Sequence, residues 1–170
     1  PIEKRPFLLK EYLKDTDYNS VLMTNTPNDN RERQYLKNNS HWDGVLFDLQ
    51  HKDVLKVLSK SMTYFSTSCI ETWGITTLEA LSHGVPVILN GKDYNHASKI
   101  IPSSDAHYRV INCDPNELIK SIESLRLSNR KEIQDMTWEK HNYDVWKNTF
   151  SNMIDKTIEN HKRPNLVKFM

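Results

Sequence analysis

Two carboxylates, Glu71 and Glu79, flank Gly74 in the stretch Ser68-Cys-Ile-Glu-Thr-Trp-Gly-Ile-Thr-Thr-Leu-Glu-Ala80, with seven residues between the two acids. The chain has only four glycines, and a second, Gly84, closes the same segment. A carboxylate is an acceptor only, so it suits paired sugar hydroxyls and is a poor partner for phosphate. The start of a helix has the complementary chemistry. Free amides at Gly74, Ile75, Thr76 and Thr77 would point out of the first turn toward an anion, and the two threonines add hydroxyl donors. The ligand implied is anionic and rich in hydroxyls, held without a metal. An ordinary strand–helix–strand unit accounts for the same residues, with Glu79 solvated, Glu71 or Thr72 capping the helix and Gly84 ending it.

Such a site needs a strand to lead into it and a helix to carry it. Short apolar runs read as strands at Ser20–Thr24, Gly44–Asp48, Met62–Ser66, Val85–Leu89 and Tyr108–Asn112. They are rich in β-branched and aromatic residues, and their continuous apolar character suits strands covered on both faces. Helical periodicity lies between them, at Phe7–Lys14, Asn30–Asn38, Asp53–Ser59 and Ile75–Ser82. Asp114-Pro115-Asn-Glu117 is an N-cap signature opening a further helix, and from about Arg130 onward the pattern is helical only. Strand–helix alternation predicts the α/β class, a doubly wound parallel sheet with right-handed crossovers and a helical C-terminal tail. In such sheets ligands lie beyond the carboxyl ends of the strands, where the segment 67–77 falls.

The bulk properties narrow the function. One domain is expected from 170 residues, and a net charge of +1 supplies no field toward nucleic acid or membrane. No apolar stretch has the length of a membrane span. The two cysteines, Cys69 and Cys113, form no CxxC and read as reduced thiols of a cytoplasmic protein. The seven histidines lack ligand spacing, so no metal or other cofactor is expected. Trp138, Trp146 and Phe150 recur at helical spacing and read as core or docking surface.

The residues Glu71-Thr-Trp73-Gly74-Ile75-Thr-Thr-Leu78-Glu79-Ala80-Leu-Ser-His-Gly84-Val-Pro86-Val87-Ile88 resemble the donor-binding, carboxyl-terminal half of the retaining GT-B glycosyltransferases. Weaker likeness surrounds them. Val45-Leu-Phe47 and the polar turn that follows are similar to the family's base-binding strand and loop, and Thr137-Trp138-Glu139 to the tail that crosses back toward the amino-terminal half.

The resemblance implies roles. Glu79 would accept from ribose hydroxyls, and Glu71, as the catalytic carboxylate, would contact the donor sugar. Backbone at Gly74, Ile75 and Thr76 would hold the diphosphate or sugar. The turn at Gln50–His51 would offer main-chain groups to the base. Ile2-Glu3-Lys4-Arg5 resembles the family's phosphate clamp, which would bring Lys4 to the diphosphate. The implied partners are a UDP-, GDP- or ADP-linked sugar and an amino-terminal GT-B domain, with nucleic acid involved only as an acceptor. Leu49 stands where the family turn has glycine, and Gly91-Lys92-Asp-Tyr-Asn replaces a Gly-Gly-x-x-Glu loop.

The strand and arginine that precede the Glu-Lys element in the family are also missing. Residues 1–170 are therefore expected to be one nucleotide-sugar-binding domain without its first strand and acceptor half. Two alternatives remain: a non-catalytic GT-B-like binding or assembly module, and another GT-B enzyme such as a nucleotide-sugar epimerase, whose signature differs.

Overall fold

The apolar runs do form parallel strands. The computed structural model describes residues 12–13, 15–26, 28–38, 42–67, 74–90, 108–111 and 114–162. Within them lie β1 (Val21–Thr24), α1 (Asn30–Asn38), β2 (Gly44–Phe47), α2 (His51–Lys60), β3 (Tyr64–Ser66) and α3 (Ile75–Ser82). They are followed by β4 (Val87–Asn90), β5 (Tyr108–Ile111), α4 (Pro115–Leu125), α5 (Arg130–His141) and α6 (Tyr143–Lys162). Tyr12 and Leu13 are helical.

The strands pair in two groups. β1 lies beside β2, in register Val21↔Gly44 to Thr24↔Phe47. β4 lies between β3 and β5, with Ile88 opposite both Phe65 and Arg109. All these pairs are parallel, and no described strand joins β1 to β3.

Apolar side chains cover both faces, as the continuous apolar runs require. On one face Val87 and Leu89 pack with Leu58, Ala80, Leu81 and Ile133, and Met23, Val54 and Tyr64 border them. On the other face Ile88 and Ile111 pack with Tyr12, Leu118, Ile122 and Leu125, with Phe65 at the margin. Successive β4 residues thus enter opposite cores, the period of two that a strand imposes.

Element ends shift from the sequence expectation for identifiable reasons. Pro86 has no N–H, so it precedes β4 rather than joining it, yet its carbonyl accepts from the Tyr64 amide at 3.0 Å. α2 begins at His51, two residues earlier than the apolar pattern suggests, because the Asp53 and Val54 amides already donate to the Gln50 carbonyl. The C-terminal helical stretch divides at Asn142, whose side chain accepts from the Val145 amide at 2.9 Å and opens a new helix. α4 carries the cap read from sequence: Asp114 Oδ1 accepts from the Asn116 amide at 2.8 Å, and Pro115 follows.

The chain divides into two units, residues 1–137 and 138–170. The described part of the second is helical apart from Asn142. It carries a stacked row, Tyr143 to Trp146 at 6.0 Å and Trp146 to Phe150 at 5.3 Å between ring centroids.

Candidate functional site

The site is built on the first turn of α3. Gly74 is its N-cap and takes the left-handed conformation, φ 56° and ψ 51°, which a side chain would oppose. Its carbonyl accepts from the Leu78 amide at 3.0 Å and starts the helix. The amides of Ile75 and Thr76 in that turn have no intrahelical acceptor. Ile75, an isoleucine at 69% exposure, faces solvent, while Ala80 and Leu81 of the same helix are buried. Thr77 is only 2% exposed and lines the cleft between β1 and β3 together with Gly74, Ile75, Thr76 and Thr67. Its hydroxyl has no hydrogen bond to another described residue.

Glu79 lies one turn further along α3. Its side chain is partly exposed and sits 3.5 Å from His51 Nδ1, the imidazole being mostly in solvent. The structure therefore brings together two residues that lie far apart in sequence, the acid expected to meet ribose and the turn expected to meet the base. His51 can do so because it heads α2, which packs beside α3. Glu79 and His51 sit outside the lining of the cleft that Gly74–Thr77 enters. A ligand touching both groups would extend from the helix mouth over the outer turn of α3. Glu71 and Lys4, the expected catalytic and diphosphate-binding residues, lie outside the described residues.

Sequence reasoning missed the device that shapes the base-side turn. Asp48, at the carboxyl end of β2, has φ 50° and is the one described non-glycine residue with positive φ. The left-handed turn falls there, not at Leu49 where the family places glycine. Aspartate tolerates this conformation because its short polar side chain can bond locally. Asp48 Oδ1 accepts from the Thr26 amide at 2.7 Å, and its second oxygen accepts from the Thr26 hydroxyl. These hydrogen bonds, the hydroxyl first, and then the Arg33 guanidinium hold the carboxyl below its ordinary value of 3.8. Arg33 also lies over the Phe47 ring, 5.8 Å from its centroid. The loops leaving β1 and β2 are thereby tied together next to Gln50 and His51. The available signal was a short acid directly after an apolar strand, which is an Asx-turn composition.

At the opposite end of α3, Gly84 has φ 72°, and a Cβ there would meet the Arg130 carbonyl oxygen at 2.4 Å. The Arg130 guanidinium donates to the carbonyls of Ser59, at 2.8 Å, and Ser61. Gln134 donates to the Ser82 carbonyl at 3.0 Å. The C-terminal ends of α2 and α3 are thus both held by α5. Among the described residues no group of three or more His, Cys, Asp or Glu is placed to hold a metal, and no helix is long and apolar enough to cross a membrane.

Residues 2–141 match the family described as Glycosyl transferases group 1. The chain belongs to that family. Solved glycosyltransferases share its fold. A TarM variant of S. aureus, in complex with fondaparinux, α-GlcNAc-glycerol and UDP, superposes with a TM-score of 0.67 at 19% identity, over 88% of this chain and 32% of that one. The lipopolysaccharide outer core galactosyltransferase WaaB, in its apo form, gives 0.68 at 17% identity over 91% and 46%. The catalytic domain of the cholesterol-α-glucosyltransferase from Helicobacter pylori gives 0.59 at 18% identity over 82% and 88%. The chain thus spans less than half the length of TarM and WaaB. No curated protein matches it. For this group 1 glycosyltransferase chain the expected GT-B, Rossmann-like architecture with a helical tail holds.

Proposed function

We propose that this chain is the donor-binding half of a glycosyltransferase that moves a sugar from a nucleotide sugar to an acceptor, with retention at the anomeric carbon. The observation that carries the reading is that His51, at the head of α2, lies 3.5 Å from Glu79 on α3, the helix whose first turn is headed by Gly74. Glu79 would accept from the ribose hydroxyls, and the Gln50–His51 turn would offer main-chain groups to the base. The amides of Ile75 and Thr76 would face the diphosphate. As the sugar–oxygen bond breaks, negative charge gathers on the departing diphosphate. Fixed amide dipoles and the Lys4 ammonium would stabilise that charge without having to reorganise. Glu71 would hold donor-sugar hydroxyls in position. UDP is the first candidate nucleotide, because the TarM complex contains it. The acceptor and its binding groups would belong to an amino-terminal GT-B domain, and the thiols of Cys69 and Cys113 suit the cytoplasm.

Calorimetric titration with UDP, GDP and ADP tests the reading, applied to the complete polypeptide and its Glu79→Ala variant. One nucleotide should bind, and the variant should lose about 1.5–3 kcal/mol, the worth of a hydrogen bond to a charged group. Equal affinity in both proteins, or no binding by any nucleotide, overturns it. Binding without sugar transfer would instead identify a non-catalytic module of the same fold. The anomeric configuration of the product, read by NMR, decides retention.

A further inference from the structure

We propose that His51 is a positioning residue for the nucleotide's ribose: its imidazole holds the Glu79 carboxylate in place, so that binding distinguishes a ribonucleotide from one without the ribose hydroxyls. The inference rests on the reading that Glu79 meets the ribose. Residues 51, 54, 55 and 58 share one face of α2 by helical spacing. Leu58 of that face packs with Ala80 and Leu81 of α3, and Val54 and Leu55 border the same cluster. This apolar contact sets the separation of the two helices. His51 is the polar end of the face, and its Nδ1 lies 3.5 Å from Glu79 Oε1. The Asp53 and Val54 amides both donate to the Gln50 carbonyl, at 2.8 and 3.1 Å, so the backbone that carries the imidazole is fixed.

The main chain of Glu79 is anchored as well. Its carbonyl accepts from the Ser82 hydroxyl at 2.8 Å and from His83 Nδ1 at 2.9 Å. The carboxylate lies beyond three further torsions, and ordering them when a ligand arrives costs conformational entropy. An imidazole turns on only two. A carboxylate accepts and never donates, so the His51 nitrogen that attracts it is an N–H. Oε1 keeps a second lone pair, and the other oxygen keeps both, for the two O–H groups of a cis-diol. The imidazole is 69% exposed and the carboxylate 21%. A pair screened by solvent in this way adds little to folding. Its effect falls on where the acid stands before the ligand binds, and such preorganisation raises affinity without a new contact to the ligand.

Calorimetric titration of the complete polypeptide tests it, with UDP, GDP and ADP and the 2′,3′-dideoxy analogue of whichever binds. The parent should prefer the ribonucleotide by roughly 10–100-fold, the worth of hydrogen bonds to a charged acceptor. His51→Ala should weaken the ribonucleotide by roughly 5-fold and the dideoxy analogue by less than about 2-fold, and leave the melting temperature in place. His51→Asn, whose amide nitrogen stands as many bonds from the backbone as Nδ1 does, should recover most of the loss. In a Glu79→Ala background, His51→Ala should have no further effect, as a residue acting through another requires. Equal weakening of both ligands, weakening of neither, or an undiminished His51→Ala effect without Glu79 overturns the proposal and leaves the donor-binding reading standing. Binding by no nucleotide, or a preference for ribose hydroxyls that survives Glu79→Ala, overturns both.

Discussion

The two groups of strands have the same kind of sequence and very different surroundings. In β4, Val87, Ile88 and Leu89 are completely buried, with a parallel neighbour on each side and helices above and below. In β1 and β2 no residue is fully buried, and Val21 is 46% exposed. Local composition does not cause the contrast, since Val21-Leu-Met and Val87-Ile-Leu are equally apolar. Position causes it. β4 is flanked on both edges, whereas β1 ends the described part of its sheet. An apolar strand contributes to stability in proportion to what encloses it.

Alanine substitutions should break or sharpen this contrast. Ile88→Ala should cost about 2–5 kcal/mol, the range for emptying a packed site, and Leu22→Ala roughly 1 kcal/mol, since a half-buried side chain recovers only part of its transfer energy. Urea denaturation measures both, and equal costs would mean that the two sheets are equally enclosed. Glycines give the next largest difference. Gly84→Ala meets the Arg130 carbonyl at positive φ and should cost at least about 1–3 kcal/mol. Gly44→Ala would place a methyl at 3.8 Å from Val21, an ordinary contact, so it should change stability by no more than about 0.5 kcal/mol and can raise it by restricting the unfolded chain.

Acid should distinguish the two regions as well. The Asp48 carboxyl is held below its ordinary value of 3.8 by Thr26 and Arg33. Its contribution is therefore complete above about pH 4 and is lost as pH falls through the lower folded value. Asp48→Asn should be less stable than the parent near neutrality, and the difference should shrink in acid, as thermal melts between pH 7 and 2 would show. The smallest effect belongs to His51→Ala. It removes a solvent-screened pair 3.5 Å from Glu79 and should alter stability by less than about 0.5 kcal/mol.

Local signals were legible in the sequence. Five apolar runs located the five described strands, and Asp114-Pro115 located a helix start to the residue. Gly74 marks the start of α3 in the sequence, and the structure gives it the left-handed N-cap conformation that glycine takes readily. Through-space relations were less accessible. Asp48 takes its left-handed turn because Thr26, 22 residues earlier, supplies two donors. Gly84 is needed because the Arg130 carbonyl stops against it. No periodicity contains either fact. The family resemblance named Glu79 and His51 for separate tasks, and only folding shows that their side chains meet.

One buried aromatic gives this molecule an optical handle. Trp42 is 7% exposed and borders the cavity between β1 and β3, whereas Trp138 and Trp146 are 55% and 58% exposed. Iodide should therefore quench the two outer indoles and spare the inner one. Phenylalanine at both outer positions and at Trp73 would leave Trp42 as the one indole of the chain's four, with an emission spectrum whose wavelength follows whatever enters or leaves the sheet's interior.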